Sequence, residues 1–259
     1  MAPSFQQPLG KPNGEADILE PETHQKSKEV TILVTGFGPF QEKYPVNPSF
    51  EIARRLPERL PASSPKHTAV RIIHYGTPIR VAFDEVRELV PKLHSDYEGT
   101  VDVILHIGMA SGREYYCIER YGHRDGYGKN KDLDGKVPAE DEGSTIFSDC
   151  PATMTTSLKY DDVLLNWQTN VLGIPEDRPG CGAELQESHD PGHYLCDYIY
   201  FNSLAYTGRK SGVMEETGNA ARPALFMHVP AESDGNMIEK GTAVAVELCR
   251  AIADSFVEL

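Results

Sequence analysis

From residue 29 onward, apolar β-branched runs alternate with helical patterns: EVTILV precedes PSFEIARRL, AVRIIHY precedes VAFDEVRELVPKL, and VDVILHIGM leads into a less regular stretch. Such alternation predicts βα units feeding a buried, largely parallel sheet. Asn47 and Pro48 supply an N-cap and a first-turn proline for the first helix. Phe50, Ala53 and Leu56 recur every three residues on its expected inner side, and Pro57 ends it. Further on, TSLKYDDVLLNWQTNVL and HYLCDYIYFNSLAY read as helices. ALFMHVP reads as a short buried strand and MIEKGTAVAVELCRAIADSFVEL as a long terminal helix.

Residues 1–28 are rich in Pro, Gly, Gln and charge without periodicity, and read as a disordered tail. Residues 29–259 then form a single domain, with a loop-rich insertion over 138–190. A chain of 259 residues, 39% of them apolar, can bury one substantial core. The net charge of −14 would repel a phosphate backbone or an anionic leaflet, so neither nucleic acid nor a membrane is an expected partner. The N-terminus has no apolar core of a signal peptide, and no run is long enough to span a bilayer. Cys117, Cys150, Cys181, Cys196 and Cys249 are scattered, odd in number and without a CxxC pair. Free thiols in a reducing, cytoplasmic setting fit them better than disulfides or a zinc knuckle.

Four segments place chemistry at element ends: TGFGPF after the first strand, GMASGREYYCIER after the third, DPGHYLC entering a helix, and FMHVP ending a strand. In open α/β sheets ligands bind beyond the carboxyl ends of the strands, so these loops are expected to meet. Cys196 near a helix start is expected to have its thiol pKa lowered by the backbone N–H groups there. Its plain alternative is a small apolar packing residue. His228 in an apolar strand must find a hydrogen-bond partner, and Glu119 is either an ion-pair partner of Arg113 or Arg120 or an orienting carboxylate. Together the three supply the nucleophile, base and carboxylate of covalent acyl transfer. Competing readings are a metal-dependent hydrolase using His189, His193 and Cys196 on one helical face, a phosphate site at TGFGPF, and a binding protein without chemistry.

These segments resemble, in order from about Val30 to Pro230, the type I pyroglutamyl peptidases, which are cysteine peptidases that remove N-terminal pyroglutamate. The resemblance implies one three-layer α/β/α domain with a mixed, largely parallel sheet, similar to phosphorylase/hydrolase-like folds. It implies Cys196 as nucleophile, His228 as base and Glu119 as third triad member. Phe37 and Phe40 match residues that hold the pyrrolidone ring, and Asn47 matches an asparagine of the neighbouring loop. Tyr194 and Leu195 match the apolar pair before the nucleophile, while Met109 and Val137 complete the expected substrate contacts. Lys136 matches a positive residue that could face the oxyanion. Met109 stands where the family commonly has glutamine, and Asp197 stands where asparagine is frequent. The implied ligand is a peptide beginning with pyroglutamate, and the chemistry calls for no metal or other cofactor.

Overall fold

The computed structural model describes Met1 and residues 29–64, 67–214 and 223–257; the expected tail over 2–28 lies outside the described residues. In chain order the elements are β1 (Glu29–Gly36), α1 (Pro48–Ala53), β2 (Arg59–Leu60), β3 (Ala69–His74), α2 (Phe83–Asp96), β4 (Val103–Met109), β5 (Tyr116–Glu119), β6 (Tyr121–His123), α3 (Glu142–Ile146), β7 (Thr153–Thr155), α4 (Tyr160–Leu172), β8 (Leu185–Ser188), α5 (Leu195–Ser211), β9 (Ala224–Val229) and α6 (Gly235–Val257). Seven strands form one sheet in the order β2-β3-β1-β4-β9-β5-β8, and β6 pairs with β7 in a small ribbon. Pairings β1–β3, β1–β4, β4–β9 and β5–β8 are parallel, while β2–β3 and β5–β9 are antiparallel.

Side chains alternate across a strand, so each buried strand feeds two cores. Val30, Ile32 and Val34 of β1, Leu105 of β4 and Leu225 and Met227 of β9 pack with Trp167 of α4 and Leu248 of α6. Leu33, Ile104, Ala224 and Phe226 pack on the opposite face with Leu93 of α2 and Ile199 of α5. Helices therefore cover both faces, the three-layer arrangement expected from the resemblance.

Asn47 caps α1, its side chain accepting the Ser49 N–H at 3.1 Å. The inner side of α1 is carried by Ile52 and Ala53, and Phe50 is only partly buried. Helical pitch explains this: Ile52, Ala53 and Leu56 follow the three-and-four spacing that faces one core, which a strict spacing of three does not. The helix also sits directly on the sheet, since a Cβ on Gly36 would stand 2.6 Å from Phe50 Cα. The span 138–190 is more structured than expected: it contains α3, β7, α4 and β8, and β8 extends the main sheet beside β5.

Candidate active site

β5 buries Tyr116 and Ile118 on the face of α4 and α6, so alternation turns Cys117 and Glu119 to the face of α5. In β9, Phe226 faces α5, and His228, two residues on, follows it. The antiparallel β5–β9 register pairs Cys117 with His228 and sets the Glu119 and His228 side chains together. Glu119 Oε1 lies 2.6 Å from His228 Nδ1. A carboxylate only accepts, so Nδ1 carries a proton in this contact, which in the neutral tautomer leaves the lone pair at Nε2. Glu119 is wholly buried, and His228 is 2% exposed. Burial alone would raise the Glu119 pKa, but the His228 hydrogen bond and the positive charge of Arg113 override it and hold it at about 2.

Arg113 is the second anchor of that carboxylate. Its Nη1 donates to Glu119 Oε1 at 2.7 Å and to Cys117 Sγ at 2.8 Å, and its Nη2 donates to the Asp190 carbonyl at 2.8 Å. One guanidinium thereby joins the carboxylate to the turn that enters α5. Arg120, the other sequence candidate for pairing with Glu119, instead stacks over Tyr160 and binds Asp161 and Glu187.

Tyr194 is the N-cap of α5 in extended conformation without a side-chain cap, so the first backbone N–H groups of the helix remain open to an anion. Cys196 sits in this first turn, partly exposed. Its thiol lies over β4: a Cβ on Gly108 would meet Sγ at 2.8 Å and Phe226 Cζ at 2.5 Å. Gly108 is the ladder partner of His228, which brings the thiol over the strand next to the imidazole. Among the described residues Sγ makes no hydrogen bond to that imidazole; such contacts tighten when substrate binds. Burial, then the anionic Glu119 and Asp197, push the Cys196 thiol pKa up. The expected lowering by the helix start is reversed, because desolvation of a thiolate outweighs the backbone N–H contribution here.

Beside Sγ lies a small pocket lined by Phe37, Phe40, Asn47, Val81, Met109, Tyr194, Leu195 and Cys196. Its walls are mainly apolar and aromatic, as in many small-molecule sites. Asn47 shapes the wall, donating Nδ2–H to the Gly38 carbonyl at 2.9 Å, and Ser49 Oγ accepts the Phe37 N–H at 3.0 Å. Tyr194 is held edge-on against Phe83 at 5.9 Å between ring centroids.

Six of the seven residues expected to contact substrate thus line one cavity, and Val137 does not. It borders a separate cavity with Tyr127 and Pro138. Lys136 is likewise displaced, its Nζ paired with Asp84 Oδ2 at 2.6 Å. The cause is Asp132, whose Oδ1 accepts the Lys136 N–H at 2.8 Å and whose Oδ2 accepts the Phe83 N–H at 2.9 Å, folding this turn onto α2. The metal set His189, His193 and Cys196 shares no helical face. His193 has φ of 46° and α5 begins only at Leu195, so the two histidines precede the helix. Val81 was not anticipated because it reads as the first turn of α2, which starts two residues later. Arg113 carries a visible signal, an arginine six residues before a buried glutamate on the same strand approach.

The family model for pyroglutamyl peptidases matches residues 30–243. The chain belongs to the pyroglutamyl peptidase family. Curated relatives include a pyrrolidone-carboxylate peptidase of Thermosipho africanus, 26% identical over 77% of this chain and 80% of that protein. The pyroglutamyl-peptidase 1 of Rattus norvegicus is 29% identical over 77% of this chain and 78% of its own length. The solved pyrrolidone carboxyl peptidase of Thermococcus litoralis superposes with a TM-score of 0.65 over 88% of this chain and 95% of that one, at 19% identity, and so supports the fold. As a member of the pyroglutamyl peptidase family the protein is an enzyme, a hydrolase of the cysteine type. Among the described residues no helix is long and apolar enough to cross a membrane.

The close seat of Sγ over Gly108 gives a test of nucleophile placement. Gly108→Ala is expected to lower turnover about 100-fold by displacing the thiol about 1 Å, and to cost about 1–3 kcal/mol in denaturant unfolding through overpacking against Phe226. Unchanged kinetics with unchanged stability would contradict the contact.

Proposed function

We propose that the protein removes pyroglutamate from the N-terminus of peptides, with Cys196 as nucleophile, His228 as general base and then acid, and Glu119 as the orienting carboxylate. The observation that carries this reading is the buried Glu119–His228 contact on the sheet face where the Cys196 thiol opens into an aromatic-walled cavity. Because the thiol is held protonated, the nucleophile forms by proton transfer to His228 Nε2 as the thiol attacks the carbonyl that links pyroglutamate to the next residue. Imidazolium then protonates the departing amine, and water, deprotonated by His228, releases the acyl group. Glu119, ionised across the working range, stabilises the imidazolium in both halves. The open N–H groups at the start of α5 receive the oxyanion.

The cavity supports a neutral lactam. Phe37, Phe40, Met109 and Leu195 offer apolar surface to a flat ring that carries no ammonium, and nothing there requires a salt bridge to substrate. Five free cysteines and a thiol nucleophile support action in a reducing compartment such as the cytoplasm.

The test is release of aminomethylcoumarin from its pyroglutamyl and prolyl derivatives in reducing buffer with a chelator, beside iodoacetamide-treated enzyme. Strong preference for the pyroglutamyl substrate, lost on alkylation, is expected. Equal rates on both substrates would reject the pocket assignment, and alkylation-resistant turnover would reject the thiol mechanism.

A further inference from the structure

Outside the triad, three elements bring metal-binding side chains to one point. β6 supplies His123, the turn before α5 supplies Asp190 and His193, and the first turn of α5 supplies Asp197. One donor atom from each of the four lies within 4.8 Å of all the others. His123 Nδ1 is 3.0 Å from Asp197 Oδ2, and His193 Nδ1 is 3.5 Å from the same oxygen. His193 Nε2 is 3.9 Å from Asp190 Oδ1. A tetrahedral ion with bonds of about 2.0–2.2 Å needs ligands roughly 3.3–3.6 Å apart. The two contacts of Asp197 Oδ2 bracket that spacing. His193, which gives an ion one nitrogen and now has Nδ1 3.0 Å from the Asp125 carbonyl, must turn its ring slightly to join them.

Asp197 is wholly buried and oriented from behind, its Oδ1 accepting the His123 N–H at 2.7 Å while Oδ2 faces both imidazoles. Backbone support of that kind fixes a ligand before the ion arrives. Two imidazoles and two carboxylates form a donor set for a borderline transition ion rather than calcium or magnesium, and the two carboxylates balance its charge. We propose that His123, Asp190, His193 and Asp197 form a site for one divalent ion of the zinc or cobalt kind, which ties β6 to the turn that enters the nucleophile helix. The ion takes no part in the triad chemistry; it stiffens the cavity wall carrying Tyr194 and Leu195.

The experiment uses the full chain with Cys196→Ser, which removes the competing thiol and makes the result independent of peptidase activity. After chelator treatment, zinc is titrated by calorimetry and cobalt by visible absorption, with thermal melting in parallel. One equivalent bound and a raised melting temperature are expected. Adding His193→Gln should weaken binding at least about tenfold, and adding Asp190→Asn, on an exposed side chain, should weaken it without disturbing the fold. No binding overturns the site. So does binding unchanged by both substitutions, which would place the ion elsewhere, for instance at Cys117, Glu119 and His228. If the His193 variant fails to fold, by circular dichroism, the Asp190 variant decides alone.

Discussion

Cys196→Ser is expected to lower turnover of a pyroglutamyl substrate by about 10⁴- to 10⁶-fold, with the melting temperature within a few degrees of the parent. The two readouts separate because the side chain does two different things. As packing, it is a small group seated over Gly108, and a hydroxyl of similar size fits the same space. As chemistry, it is the one thiol lining the cavity, and a serine hydroxyl surrendering its proton to His228 in the same desolvated setting is a far poorer nucleophile. Residual turnover above that range, in protein free of parent enzyme, would mean that another group attacks the substrate.

The second large effect is expected from Arg113→Met. Glu119 is fully buried and ionised, and Arg113 is its cationic partner beside the His228 imidazole. Breaking a buried pair from one side costs about 3–5 kcal/mol, because the remaining charge stays desolvated. The loss should be read by denaturant unfolding at neutral pH. The sign with pH follows from the lowered Glu119 pKa. Its stabilising contribution is complete above the unfolded value of about 4.3 and is lost as pH falls toward the folded value of about 2. Without Arg113 the folded value rises, so the gap between variant and parent should narrow as the pH drops below about 4. A gap that stays constant down to pH 3 would show that the ion pair is not its source. Arg113→Lys should restore little, since a single ammonium cannot reach Glu119, Cys117 and the Asp190 carbonyl together. Arg113 acts here as a positioning residue, and kcat should fall with little change in KM.

What was legible in the string follows from two periodicities. Period two in β5 and β9 turns Glu119 and His228 to one face once the strands are adjacent. The strand and helix patterns that set the sheet were visible as alternating runs, down to the Asn47 cap. The quantities that were not legible depend on distant chain. Cys196 sits at a helix start as read, yet its ionisation is set first by burial against the sheet and by Glu119, neither legible near it in sequence, and then by the adjacent Asp197. Lys136 and Val137 were misplaced because Asp132 folds their turn onto α2, a tie between side chain and backbone that leaves no periodic trace. The order within 138–190 escaped for a related reason. β8 is a short, partly buried edge strand with polar residues, and its identity comes from pairing with β5 rather than from its own composition.

The β5–β9 pairing also sets the order in which the proposed site is completed. Glu119 and His228 are separated by 109 positions, so their contact closes a long loop, at an entropic cost that the local βα units do not bear. During synthesis Cys196, the proposed nucleophile, emerges before β9, which carries His228, the proposed base. A nascent or partly folded chain therefore lacks the proposed triad, which is complete only once β9 lies between β4 and β5.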